Sequence, residues 1–370
     1  MMQYSGTFQQ RWKARAVKYR HFISPLLFGF GFVLDLFTLN QIDQKFDLAV
    51  LLTHTTLVTF WLFLSHWDRS KKPFFEKRTK IKWLAQTVGP HAMQFSFGAL
   101  FSGFVIFYTK SASLFICWPF LMVLYLLFIG NESFRHHYQR LYFQTVVYYF
   151  SILTLLIFLV PLWLKRIGPD VFRLSGFLSL GFIGVLIGFM VWGFGSIGKQ
   201  DHRRLWFWVL MIFTGVNIAY YQNVIPAIPL SLKHDGIYYH VEKAEGLYKA
   251  LEEKQNFWDK WIPPTTIHKP EGVSIYYFSA VFAPGAFKEK IVHEWQWYDE
   301  ATKQWTTIFS QPMEILGGRD AGYRGYTYVL NPDYGYWRVL VKTPRGQAIG
   351  QKNFQVLIPE GPTHIQPVEL

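Results

Sequence analysis

One cysteine, Cys117, stands in 370 residues. No intrachain disulfide can form, so any β structure must rest on packing alone. Acid is scarce as well: 24 Asp and Glu face 37 Lys and Arg, and only 16% of residues are charged. A chain so poor in charge is no solvated, disordered polymer. No P-loop, GxSxG or CxxC pattern occurs, so the common nucleotide, hydrolase and thiol-redox classes lack sequence support, and no cofactor is expected.

What fills the chain instead is apolar: 51% of residues, with 19% aromatic. Seven apolar runs reach about the ~18 residues of a membrane-spanning helix, at 22–39, 48–66, 91–108, 112–130, 141–164, 174–197 and 205–225. The net charge of +13 divides unevenly. Residues 1–232 hold 22 Lys/Arg against 8 Asp/Glu, whereas residues 233–370 hold 15 against 16. All the positive surplus therefore lies among the apolar runs, where it can hold loops inside and face anionic lipid. No basic domain remains for nucleic acid. With the N-terminus inside, the inner segments carry 17 Lys/Arg and the outer loops 5. Seven crossings then put everything after Ile225 outside. The basic start at Arg11, Lys13, Arg15, Lys18 and Arg20 precedes a run with no small-residue cleavage site, which reads as a retained anchor.

After Pro226 and Pro229 the pattern changes. Val241, Ala244, Leu247, Tyr248 and Leu251 recur at helical spacing, which predicts one amphipathic helix over about 238–258, ended by Pro263 and Pro264. Beyond Pro270 the period is two. Strands are predicted at 273–282, 291–299, 305–310, 323–330, 336–343 and 349–358, separated by Gly- and Pro-containing turns. The expected fold is an α-helical membrane bundle of seven transmembrane helices followed by an all-β, Ig-like antiparallel sandwich. Its divisions are a cytoplasmic basic N-terminus (1–21), the helical domain (22–225), a linker with the amphipathic helix (226–270), a periplasmic sandwich (271–360) and a tail (361–370).

His293-Glu294-Trp295, Gly317-Gly318-Arg319, Gly322-Tyr323-Arg324-Gly325-Tyr326-Thr327, Gly335-Tyr336-Trp337-Arg338-Val339 and Phe354-Gln355-Val356 form a scattered pattern. It resembles the domain-of-unknown-function family 2914. The N-terminal half is similar to the membrane regions that accompany that family, through Gly31-Phe32, Asp35, Thr38-Leu39, Ile42-Asp43, Gln94-Phe95, Gly98, Ser102, Tyr108, Lys110-Ser111 and Asn131-Glu132. The resemblance implies a bacterial envelope protein and no assigned activity.

Chemistry-bearing residues fall into three groups. Asp35 lies inside the first run, about 6 Å by helical rise from its outer end, where Lys110 is the available cation. With Asp43 nearby, these residues make an outer-face polar site, the basis of an alternative reading as an enzyme or transporter for a lipid-linked or small polar substrate. Glu132, His136 and His137 follow the fourth run, level with His66 and His91. Arg135 and Arg140 stand among them, so an arginine pair for Glu132 is simpler than a metal, and no metal is expected. His54 reads as a packed histidine, and Gly184 and Gly188 as a close helix contact. In the sandwich, Arg324, Tyr326, Tyr336 and Arg338 form a candidate wall for stacking on rings and holding acidic groups. The bland alternative pairs the two arginines with Glu294 or Asp320 across strands. The preferred expectation is non-catalytic: an inner-membrane protein in the lipid bilayer whose periplasmic sandwich binds an envelope glycan, lipid headgroup or protein, with no nucleic-acid partner.

Overall fold

A computed structural model describes residues 29–39, 44–70, 82–195, 197–244, 246–254 and 264–370. Among the described residues, seven long helices come first: α1 (Gly29–Thr38), α2 (Lys45–Asp68), α3 (Leu84–Lys110), α4 (Leu114–Gly130), α5 (Leu141–Leu164), α6 (Pro169–Phe194) and α7 (Lys199–Tyr221). Each apolar run overlaps a helix within the described residues, but several helices begin earlier, in flanking polar residues such as Lys45 and Lys199. Backbone bonding continues past the point where side chains turn polar, so the apolar run understates the helix.

Among the described residues, four helices, α2, α3, α5 and α6, are long and apolar enough to cross a membrane. α4 and the described part of α1 are apolar over fewer residues, and α7 opens on Lys199, Asp201, Arg203 and Arg204. α3 and α5 are central, with 72% and 78% of their apolar windows buried, against 28% and 33% for α2 and α6. Phe97, Phe101, Phe104, Tyr108, Tyr148 and Phe158 fill the space between helices. The outer faces stay apolar: Phe46 and Phe60 on α2, Phe177, Val185 and Trp192 on α6, and Phe207 and Met211 on α7 are exposed. Exposed apolar surface on this scale calls for a bilayer or a partner, and it agrees with membrane association.

On α6 the close helix contact is at Gly176, where an added Cβ would lie 3.0 Å from the Phe213 ring. At Gly184 the same atom would meet Trp206 at 3.6 Å, and at Gly188 it would meet open space. The tight approach therefore sits two turns before the expected pair.

Eleven strands follow among the described residues: β1 (Ser231–Tyr238), β2 (His240–Ala244), β3 (Leu247–Glu253), β4 (Thr265–His268), β5 (Ile275–Phe282), β6 (Lys288–Asp299), β7 (Gln304–Leu316), β8 (Tyr323–Val329), β9 (Gly335–Lys342), β10 (Ala348–Leu357) and β11 (Ile365–Glu369). They make a three-stranded sheet β1-β5-β8, a five-stranded sheet β4-β10-β9-β6-β7 and a small sheet β11-β3-β2. All pairings are antiparallel except β4 with β10.

The amphipathic helix expected over 238–258 is absent. β2 and β3 form a hairpin there, with Ala244 opposite Leu247 and Gly246 at φ +84° in the turn. Val241 and Ala250 face each other across the pair. Over so short a stretch the spacing fits either period, and the glycine decides. The segment assigned to a linker and the one assigned to a tail both belong to the β domain, since β11 pairs with β3.

Two cores hold the domain. Tyr277, Val281, Trp295, Trp337, Val339, Val341 and Phe354 fill the space between the two large sheets. Phe278 and Ala280, on the other face of β5, pack with Tyr238, Val241 and Ala250 beneath the small sheet. Covering on both sides explains why β5 is buried along nearly its whole length. One polar knot crosses the main core. His293 shares hydrogen bonds with Ser279 Oγ (2.8 Å) and Thr327 Oγ1 (3.1 Å), and Trp295 Nε1 donates to the same threonine at 2.9 Å. Burial pushes the His293 imidazole down to about 3, so the ring is neutral.

The β domain is seated on the helices. Arg345, in the turn between β9 and β10, donates to the Tyr220 carbonyl at 2.9 Å and lies 3.8 Å from the centre of its ring. Tyr220 in turn stacks on Phe172 at 3.6 Å. Ile167, beyond α5, donates its backbone N–H to Glu289 at 2.7 Å, and Gln347 donates to the Ile225 carbonyl. A cavity of only about 20 Å³ remains at this seam.

Candidate functional site

Strand alternation sets each of the four sandwich residues. On β8, Thr327 points into the core, so Arg324 and Tyr326 point outward from the three-stranded sheet. On β9, Trp337 and Val339 are buried, so Tyr336 and Arg338 point outward from the five-stranded sheet. The two pairs thus lie on opposite outer faces, and the expected single wall does not form. Arg324 and Tyr326 are taken up by the small sheet. Arg324 Nη1 donates to the Leu370 carbonyl (2.9 Å), the Arg324 carbonyl accepts from Tyr248 (3.1 Å), and Tyr326 packs against Tyr276 and Tyr248. Their work is to fasten the C-terminal strand.

Tyr336 and Arg338 remain on an open face. Arg338 Nε donates to Gln296 Oε1 at 2.6 Å, and its guanidinium lies 4.3 Å from the Trp305 ring centre. Tyr298 packs against the same tryptophan, and Tyr336 is 41% exposed. Glu294, expected as the ion partner of an arginine, pairs instead with Lys342 and accepts from Gln296. Trp305 and Gln296 come from β7 and β6, and only the register joins them to Arg338. The arrangement offers a cation fixed on an aromatic plane, beside an amide and a tyrosine.

At the Gly335 end of β9, next to Tyr336, a cleft of about 600 Å³ opens beside Gly335 and Val356. Its inner wall is a cluster with no local sequence signature. Glu253 on β3 accepts from Tyr239 Oη (2.8 Å), from the His268 backbone N–H (3.0 Å) and from His268 Nδ1 (2.6 Å). Burial works against the Glu253 charge, but these donors outweigh it and hold the carboxyl below its ordinary range. Three separate strand ends meet here, and the stretch carrying Glu253 read as helix, so spacing could not bring the cluster into view.

In the helical region, Asp35 accepts from Ser102 Oγ on α3 at 2.5 Å, with His54 on α2 within electrostatic reach. Lys110 does not pair with Asp35: it donates to the Leu39 carbonyl at 2.8 Å, near the buried Asp47. Asp43 lies outside the described residues. The outer-face trio is therefore replaced, among described residues, by Asp35, Ser102 and His54. His54 also packs edge-on to Phe95 at 5.6 Å. On the opposite level, Glu132 accepts from Gln94 Nε2 at 3.0 Å, and Asn131 bridges Gln94 and Tyr138. Among the described residues no three His, Cys, Asp or Glu gather as metal ligands.

Residues 288–356 match the profile of a family described as "Protein of unknown function (DUF2914)". The span runs from β6 into β10 and includes the inter-sheet tryptophans. No curated protein matches the chain. Among solved structures, the chain is similar to an immunoglobulin-like protein of Pseudomonas aeruginosa at 13% identity, over 34% of this chain and 95% of that one, with a TM-score of 0.19. A β-glucosidase of Listeria innocua in complex with isofagomine matches at 11% identity, over 30% and 17%, with a TM-score of 0.18. The alkylpurine DNA glycosylase AlkC of Pseudomonas fluorescens, bound to DNA containing an abasic site analogue, matches at 9% identity, over 85% and 99%, with a TM-score of 0.22.

Proposed function

We propose that the chain is a non-catalytic, multi-pass protein of the bacterial inner membrane that binds an envelope component on the periplasmic side. The binding surface is the outer face of the five-stranded sheet around Tyr336 and Arg338. The observation that carries this reading is the Arg338 guanidinium laid over Trp305 and bonded to Gln296. A cation already oriented on an aromatic plane loses little side-chain freedom on meeting an acidic group, so more of the contact energy appears as affinity. An acidic glycan or an anionic lipid headgroup fits that chemistry. The seam at Arg345 and Tyr220 supports the same reading, because a seated head keeps its face at a set height and angle above the bilayer.

Full-length protein in nanodiscs would be titrated with solubilised envelope glycan and with vesicles containing phosphatidylglycerol. Arg338→Ala and Tyr336→Ala are expected to weaken binding about tenfold or more, and Arg324→Ala to leave the affinity intact if the fold survives. Unchanged binding in both face variants overturns the reading.

A further inference from the structure

We infer that the cleft at the membrane-distal end of the β domain is a binding site for a neutral, hydroxylated ring such as a saccharide unit. The argument begins with proton placement. Glu253 is ionised, largely buried (14% side-chain exposure) and saturated by its three donors. Its bond to His268 places a hydrogen on Nδ1, and leaves Nε2 as the polar atom of the ring away from the carboxylate. No described residue bonds to Nε2, and the ring, 35% exposed, lines the cleft. The carboxylate therefore fixes the orientation of the ring and leaves its Nε2 edge available at the opening.

The neighbouring wall is equally fixed. Tyr334 is tied at its hydroxyl to the Lys269 carbonyl, the Lys269 ammonium lies 5.1 Å from its ring centre, and its own carbonyl accepts from Trp297. The ring still has 39% of its surface open. Val356 adds apolar floor, with Lys254 and His364 at the mouth. The volume of about 600 Å³ is within the range of roughly 300–1,000 Å³ for small-molecule sites. A rigid aromatic plane suits the C–H face of a sugar, and a fixed ring nitrogen suits one of its hydroxyls, which can donate or accept. The Glu253 carboxylate behind the ring disfavours an anion at the inner wall, which separates this site from the Arg338 face. It also needs nothing from that face.

The test uses full-length protein in nanodiscs and saturation-transfer NMR. The probes are methyl glucoside and N-acetylglucosamine disaccharide, with glucuronate and inorganic phosphate as anionic comparisons. Transfer to the neutral sugars is expected in the wild type and in Arg338→Ala. A loss of at least about tenfold in affinity is expected in His268→Phe, and separately in Tyr334→Ala, which keeps the Glu253 cluster whole. The inference is overturned if neither variant weakens binding, if only the anions bind, or if the wild type takes no neutral sugar. Loss in Arg338→Ala alone would also overturn it, while supporting the proposed face.

Discussion

His293 lies fully buried between two sheets with both ring nitrogens engaged. Burial holds its imidazole down at about 3, whereas an unfolded histidine titrates near the ordinary value of about 6.5. As pH falls below that value, the unfolded chain takes up a proton that the native chain refuses. Stability is thus complete above about pH 6.5 and declines towards pH 3, by up to about 1.4 kcal/mol per pH unit. The drop in melting temperature of the full-length protein between pH 7.5 and 5.0, followed by tryptophan emission, is expected to shrink in His293→Gln. Equal drops in the two proteins would remove His293 as the cause. The same residue shows what a motif can hide. His293-Glu294-Trp295 looks like chemistry in one dimension. In the fold, His293 and Trp295 meet at Thr327, and Glu294 points outward to Lys342.

At the scale of the element, legibility followed the length of the pattern. The strands from β5 to β10 alternate aromatic and β-branched residues over enough positions to exclude a helix, and each was readable to within a few residues of its ends except β7, which runs on to Leu316. The β2–β3 hairpin offered only a handful of apolar positions, and its turn lacks the Asn-Gly or Asp-Gly signal of tight hairpins. β11 had no pattern of its own to announce it, because its partner β3 lies more than a hundred residues upstream. Alternation also told which side of its own strand each of Arg324 and Arg338 occupies. It could not tell that the two strands belong to different sheets, and so the wall was drawn as one. The turns were more transparent. Gly317 donates to the Phe287 carbonyl at 2.8 Å, and an added Cβ would fall 1.8 Å from the Pro284 carbonyl oxygen. Two backbones pass too closely there for any side chain. Gly317→Ala is expected to cost about 2 kcal/mol or more of β-domain stability, read from denaturant unfolding, with Gly361→Ala, which meets open space, near neutral. A Gly317→Ala protein as stable as the Gly361→Ala one would contradict the close approach.

For the whole molecule, the question is which side of the membrane each end of the structure occupies. α5 answers it without a count of the other helices. Its 24 residues span about 36 Å, and it is the most buried of the four long apolar helices. The loop holding Ser133 enters one end, and Ile167, which binds Glu289 of the β domain, follows the other. If α5 crosses the bilayer, Ser133 and the β domain face opposite compartments. The direction is a separate matter: it follows from Lys and Arg density only if all seven runs cross, which puts 17 in segments on the Ser133 side and 5 on the other. The buried Cys117 can be replaced by alanine to clear the background. In that variant, Glu300→Cys, in the exposed β6–β7 turn, is expected to react with a membrane-impermeant maleimide in cells whose outer membrane has been opened. Ser133→Cys is expected to react only after the inner membrane is broken. The reverse pattern would invert the orientation, and labelling of both positions in sealed cells would mean that α5 does not cross. Because the head is seated through Arg345 and Gln347 rather than hung from a linker, the side found for Glu300 is also the side that Arg338 and the distal cleft face.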